Sequence, residues 1–120
     1  VSKLSAGVLL LSTLFPAGQA FAHAHLQSSV PAAGSTVTAA PHSVTLSFSE
    51  ALEPRFSSIV VTGATGTRVD KNDLSVAPGD AKTVRVDLDA LTPGPYTVMW
   101  RAVSVDTHRT HGSFSFSVTR

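Results

Sequence analysis

Four stretches of this chain put an apolar residue at every second position: Val44, Leu46 and Phe48; Val84, Val86 and Leu88; Tyr96, Val98 and Trp100; and Phe114, Phe116 and Val118. Side chains of an extended chain point alternately to opposite faces, so each stretch predicts a strand with one buried face. Thr45, Ser47, Arg85, Asp87 and Ser113, Ser115 and Ser117 occupy the wet positions between them. No stretch carries a helical apolar stripe. Leu26 to Val30 predicts an edge strand running into the turn Pro31-Ala32-Ala33-Gly34, and 58–62 a further strand closed by Gly63-Ala64-Thr65-Gly66. Ala51 to Phe56 is a connection containing Pro54, Asp70 to Val76 has no clear period, and Pro93-Gly94 suits a type II turn. About seven short strands without a helix predict an all-β fold, a single Greek-key, immunoglobulin-like β-sandwich.

What precedes this domain constrains its chemistry. Lys3 is the only charged residue before His23, 6–15 are mostly apolar, and Pro16, Gly18 and Gln19 break that run before Ala20 and Ala22. A charged start, an apolar centre and an A-x-A end form the pattern of a secretory signal peptide. A transmembrane anchor needs about 20 predominantly apolar residues, roughly twice the run present. The expected organisation is therefore a signal peptide over 1–22, cut after Ala22, and one small domain over 23–120.

Composition limits the partners and the metal chemistry. Nine Lys and Arg face eight Asp and Glu, and Lys3 lies in the leader, so the mature side chains balance. No polybasic face points to nucleic acid or an anionic membrane. Cysteine is absent and Met99 is the only methionine, which leaves nitrogen and oxygen donors for a metal and argues against a thioether site for Cu(I).

Cutting after Ala22 would free the amine of His23, which together with its ring Nδ1 closes a chelate that an internal histidine cannot form. Asp106-Thr107-His108 and His111 form a polar cluster between two apolar strands. Residues at i and i+2 of an extended segment point the same way, so Asp106 and His108 can share a ligand. A three-nitrogen, one-oxygen set suits Cu(II); Zn(II) takes similar donors in a tetrahedron. An Asp-x-His pair alone reads equally well as a solvated turn.

These residues resemble the CopC family of periplasmic copper-binding proteins. The resemblance spans His23-Ala24-His25-Leu26, Ser29-Val30-Pro31-Ala32-Ala33-Gly34-Ser35, Leu46-Ser47-Phe48-Ser49-Glu50, the run from Pro93 to His108, and Gly112 to Val118. It implies a β-sandwich in the periplasm that binds one Cu(II) per chain through His23, Asp106 and His108, and acts in copper resistance or homeostasis without turnover. Glu50 is implied near the metal. Some relatives also hold Cu(I) through a methionine-rich loop with a histidine; residues 59–76 contain neither, so a Cu(II)-only, monomeric member is expected, with a CopD-type inner-membrane transporter as partner.

The other histidines have simpler readings. His25 is the third residue of the expected mature chain, where amine, backbone amides and imidazole form a square Cu(II) chelate that competes for the His23 amine; alternatively it orients a ligand from outside the coordination sphere. His111 lines the site or faces solvent, His42 is a surface residue, and Glu50 is an outer metal partner or pairs with Arg101. Two competing functions remain open, a copper-dependent oxidative enzyme built on the same histidine chelate and a metal-free adhesive sandwich.

Overall fold

A computed structural model describes residues 23–119. The predicted leader, 1–22, and its cleavage lie outside the described residues.

Among the described residues eight strands follow in order: β1 (Leu26–Val30), β2 (Thr36–Val37), β3 (Ser43–Phe48), β4 (Ser58–Gly63), β5 (Ser75–Ala77), β6 (Asp80–Asp87), β7 (Gly94–Val103) and β8 (Arg109–Val118), with a 3-10 turn over Pro54–Phe56. They form two four-stranded sheets, β1-β3-β6-β5 and β2-β8-β7-β4. All pairings are antiparallel except β2 with β8. Strands one, three, six and five in one sheet against four, seven and eight in the other reproduce the ABED and CFG arrangement of an immunoglobulin-like sandwich, with β2 as an added edge. The expected architecture is present. Two strands have no individually predicted counterpart: β2, whose two residues pair Thr36 with Ser117 and Val37 with Val118, and the three-residue β5, at the end of the segment without a clear period.

The alternating residues meet between the sheets. Val44, Leu46, Phe48, Val84 and Val86 of the first sheet pack with Ile59, Val61, Val98, Trp100, Ala102, Phe116 and Val118 of the second, all essentially buried. Phe114 is only partly covered. Tyr96 stacks on Phe116 at 5.6 Å while its hydroxyl donates to the Thr92 carbonyl at 2.6 Å, the tyrosine corner that fixes entry into this strand of such sandwiches. Gly94 has φ +144°, wider than the +80° of the expected type II turn, because it already pairs with Val118 as the first residue of β7.

Trp100 meets Phe48 edge to face at 5.1 Å, bridging the sheets. Its indole also lies directly over Gly112, its partner in β8, where a Cβ would come within 2.6 Å of Trp100 Cζ2. Overpacking of this kind costs about 1–3 kcal/mol. Gly112→Ala is therefore expected to lower the unfolding free energy by that amount, seen as a lower denaturation midpoint with an unchanged m-value.

Candidate metal centre

The site lies at the end of the sandwich where β7 turns into β8. Between them, Ser104 to His108 form a tight loop in which the Thr107 amide donates to the Ser104 carbonyl at 2.8 Å and the Ser104 amide to the His108 carbonyl at 2.9 Å. Thr107 sits at φ +72°, a conformation β-branched residues rarely adopt. That reversal brings Asp106 and His108 to one side of the turn: His108 Nδ1 is 3.1 Å from Asp106 Oδ1. The loop is anchored from beneath by Val105, whose amide donates to the Ala51 carbonyl at 3.1 Å.

The start of the described chain reaches the same place. Ser49, just past β3, holds it with one hydroxyl that accepts from the His25 amide at 2.8 Å and donates to the His23 carbonyl at 3.3 Å. From the opposite sheet, Thr110 donates to the Ala24 carbonyl at 2.8 Å. Ala24 itself is completely buried. Residues 23–25 thus span the end of the sandwich, and the His23 ring lies against that of His108 with centroids 4.5 Å apart and planes inclined by 35°.

His23, Asp106 and His108, selected from the sequence, are therefore neighbours. Asp106 and His108 remain about half exposed, so the donors are open to solvent. Among the described residues, no three His, Asp or Glu side chains converge as in a formed chelate, and His108 Nδ1 is bonded to Asp106 instead. Hydrogen bonds from the Ser104 hydroxyl, and then from His108, hold the Asp106 carboxyl below its ordinary range. It is an ionised oxygen donor at neutral pH, and the two imidazoles offer nitrogen.

The remaining candidates take different positions. His25 is exposed and tied to Ser49 through its backbone. Glu50 follows Ser49 and is half-buried, and no ion pair joins it to Arg101 among the described residues. His111 lies within β8, opposite Arg101 and facing outward. His42 is exposed.

Ser104 carries no sequence signal, yet it is buried to 1% exposure and its hydroxyl holds Asp106 Oδ1 and reaches the His108 carbonyl at 3.4 Å. The nearest hint is the burial parity of β7: Trp100 and Ala102 point inward, and position 104 continues them. Because the Ser104 amide keeps its own bond to His108, Ser104→Ala is expected to cost only about 1 kcal/mol of stability. The change should raise the Asp106 pKa, read by NMR titration of its carboxyl.

A family model described as the CopC domain matches residues 26–119. The chain belongs to the CopC family. Among its CopC-family relatives, copper resistance protein C of Pseudomonas syringae pv. tomato is 43% identical over 117 residues, covering 88% of this chain and 92% of that protein. The crystal structure of CopC from Methylosinus trichosporium OB3b superposes with a TM-score of 0.76 at 31% identity, over 81% of this chain and 94% of the other. PcoC, a methionine-rich copper resistance protein of Escherichia coli, gives 0.70 at 38% identity over 82% and 100%. A copper-binding role is the family property these relationships support.

Proposed function

We propose that this CopC-family chain is a periplasmic Cu(II)-binding protein that sequesters or delivers copper in resistance or homeostasis, without turnover. The carrying observation is the contact between the His23 and His108 rings beside the ionised Asp106 carboxylate. Removal of 1–22 would add the free amine of His23 to these donors, giving three nitrogens and one oxygen for one Cu(II) per chain. That donor chemistry fits Cu(II), which leads the divalent affinity order for such ligands.

The protein's own part is to hold these donors close without fully pairing them. His108 either releases Asp106 and uses Nδ1, or coordinates through Nε2 while Asp106 orients it. Glu50 and His25 flank the site from the Ser49 side as outer partners. A monomer is the expected form, and a CopD-type transporter the expected recipient. Met99 supports a Cu(II)-only reading: it is the sole methionine and lies on the outward face of β7, paired with Ser113 rather than placed in the loop. PcoC, by contrast, is methionine-rich.

Imidazoles and an amine coordinate only after losing protons, so acid competes with the metal. Equilibrium dialysis of protein beginning at His23 is expected to retain one Cu(II) per chain at about pH 8 and to bind more than tenfold more weakly at about pH 5, below the usual histidine pKa. Retention no better than that of an unrelated sandwich protein would refute the assignment, and an affinity constant across this range would exclude histidine and amine donors.

A further inference from the structure

The two sheets differ in charge. No Asp or Glu occurs in any strand of the β2-β8-β7-β4 sheet, whereas β6 of the other sheet carries Asp80 and Asp87. On the outer face of the acid-free sheet, register aligns Ser58, Arg101 and His111 in one row and Val60, Met99 and Ser113 in the next. Arg109 stands beside them, paired with Val103. The 3-10 turn adds Phe56, which is 65% exposed beneath the Arg55 guanidinium.

Neither Arg101 nor Arg109 has an ion-pair partner among the described residues, in contrast to Arg68 and Arg85. Shallow depressions run between Val60, Met99 and His111 and between Phe56, Arg101 and Arg109. Large exposed apolar side chains are normal singly, but Phe56 and Met99 here share one face with unpaired guanidinium groups. Arginine beside aromatic and methionine side chains is the composition enriched in interface cores. The face ends at the metal loop, since Arg109 directly follows His108.

The geometry points to this face as the docking surface for a partner protein that presents a carboxylate-rich segment with apolar side chains, set so that the partner's metal site meets the loop of 104–108. The arginines take the carboxylates, and Phe56 with Met99 takes the apolar residues. Fixed cations beside the loop favour an acidic partner. The link to copper transfer rests on the function proposed above; the docking surface itself does not require bound metal.

The test uses copper-free, ¹⁵N-labelled protein and a short synthetic peptide in which Phe and Leu alternate with Asp and Glu. Shift perturbations are expected at 55–60, 97–103 and 109–113, with binding that weakens as salt rises. The double variant Arg101→Glu/Arg109→Glu should bind at least about tenfold more weakly, as loss of interfacial charge pairs does, with an unchanged denaturation midpoint. The same charge reversal on the other sheet, Lys82→Glu/Arg85→Glu, should leave affinity within about twofold, as for charges outside an interface. Perturbations on the β1-β3-β6-β5 sheet, equal binding by the Arg101/Arg109 variant, or binding only to phosphatidylglycerol vesicles would each overturn the assignment. Because no copper is present, failure here leaves the dialysis result standing, and failure of dialysis leaves this one.

Discussion

A single residue added ahead of His23 is expected to lower Cu(II) affinity by about a hundredfold or more, since loss of a direct ligand exceeds the 10–100-fold that outer partners are worth. The extension leaves every side chain in place. It converts an amine, which coordinates strongly once deprotonated, into a peptide nitrogen that binds only if the metal displaces its far less acidic proton. The fold should be untouched, because residues 23–25 are held through His23 and Ala24 carbonyls and the His25 amide by Ser49 and Thr110. Circular dichroism and the denaturation midpoint should therefore match the protein starting at His23, while dialysis and the EPR spectrum change. His23→Ala, which keeps an amine and removes the ring, should also weaken binding and alter the spectrum differently. If the extended protein binds as tightly with the same spectrum, the amine is not a ligand and the donors are side chains alone.

Much of this organisation can be read from residue order. Alternation at Val44 to Phe48, Val84 to Leu88, Tyr96 to Trp100 and Phe114 to Val118 marks the strands because one face of each is buried against the other sheet. The short strand β2 leaves no such mark: two residues pairing in parallel cannot show a period. The neighbourhood of His23 and Asp106-Thr107-His108 follows from family resemblance more than from spacing, since the segments are far apart in sequence. What brings them together is Ser49 and Thr110 gripping a buried Ala24 from opposite sheets. A lone serine or threonine has many possible roles, and neither signals this one. Ser104 is hidden for the same reason, and the left-handed Thr107 runs against the local preference of its residue type.

Asp70 falls in the segment whose period was unreadable, and its removal should destabilise the fold. Its side chain is fully covered. One oxygen accepts from the Val61 amide at 2.8 Å and the other from the Asn72 amide at 3.0 Å, while Arg68 bonds both oxygens through Nε and adds Nη2 to Oδ2 at 2.9 Å. The Asp70–Leu88 bridge sets this carboxylate between the two sheets, since Val61 belongs to β4 and Leu88 follows β6. Burial works to raise its pKa, but the Arg68 hydrogen bonds, helped by the Val61 and Asn72 amides, outweigh it and hold it below the ordinary value. The same bonds raise the Arg68 guanidinium. Asp70→Ala removes every acceptor and leaves the Val61 amide buried without a partner, while Arg68, 42% exposed, can turn to solvent, so about 1–3 kcal/mol should be lost at neutral pH, the usual cost of a buried donor left unsatisfied. Asp70→Asn, which keeps the shape but turns an NH₂ toward these donors, should also destabilise. A carboxyl with a depressed folded pKa stabilises fully above its unfolded value of about 3.9 and loses that contribution as pH falls through the folded pKa. The gap in unfolding free energy between the wild type and Asp70→Ala should therefore be constant from about pH 7 to about pH 5 and narrow only in stronger acid, below the unfolded carboxyl value. Urea denaturation across this series measures it, and a gap that stays constant into strong acid would mean that the ionised carboxylate is not what joins the sheets.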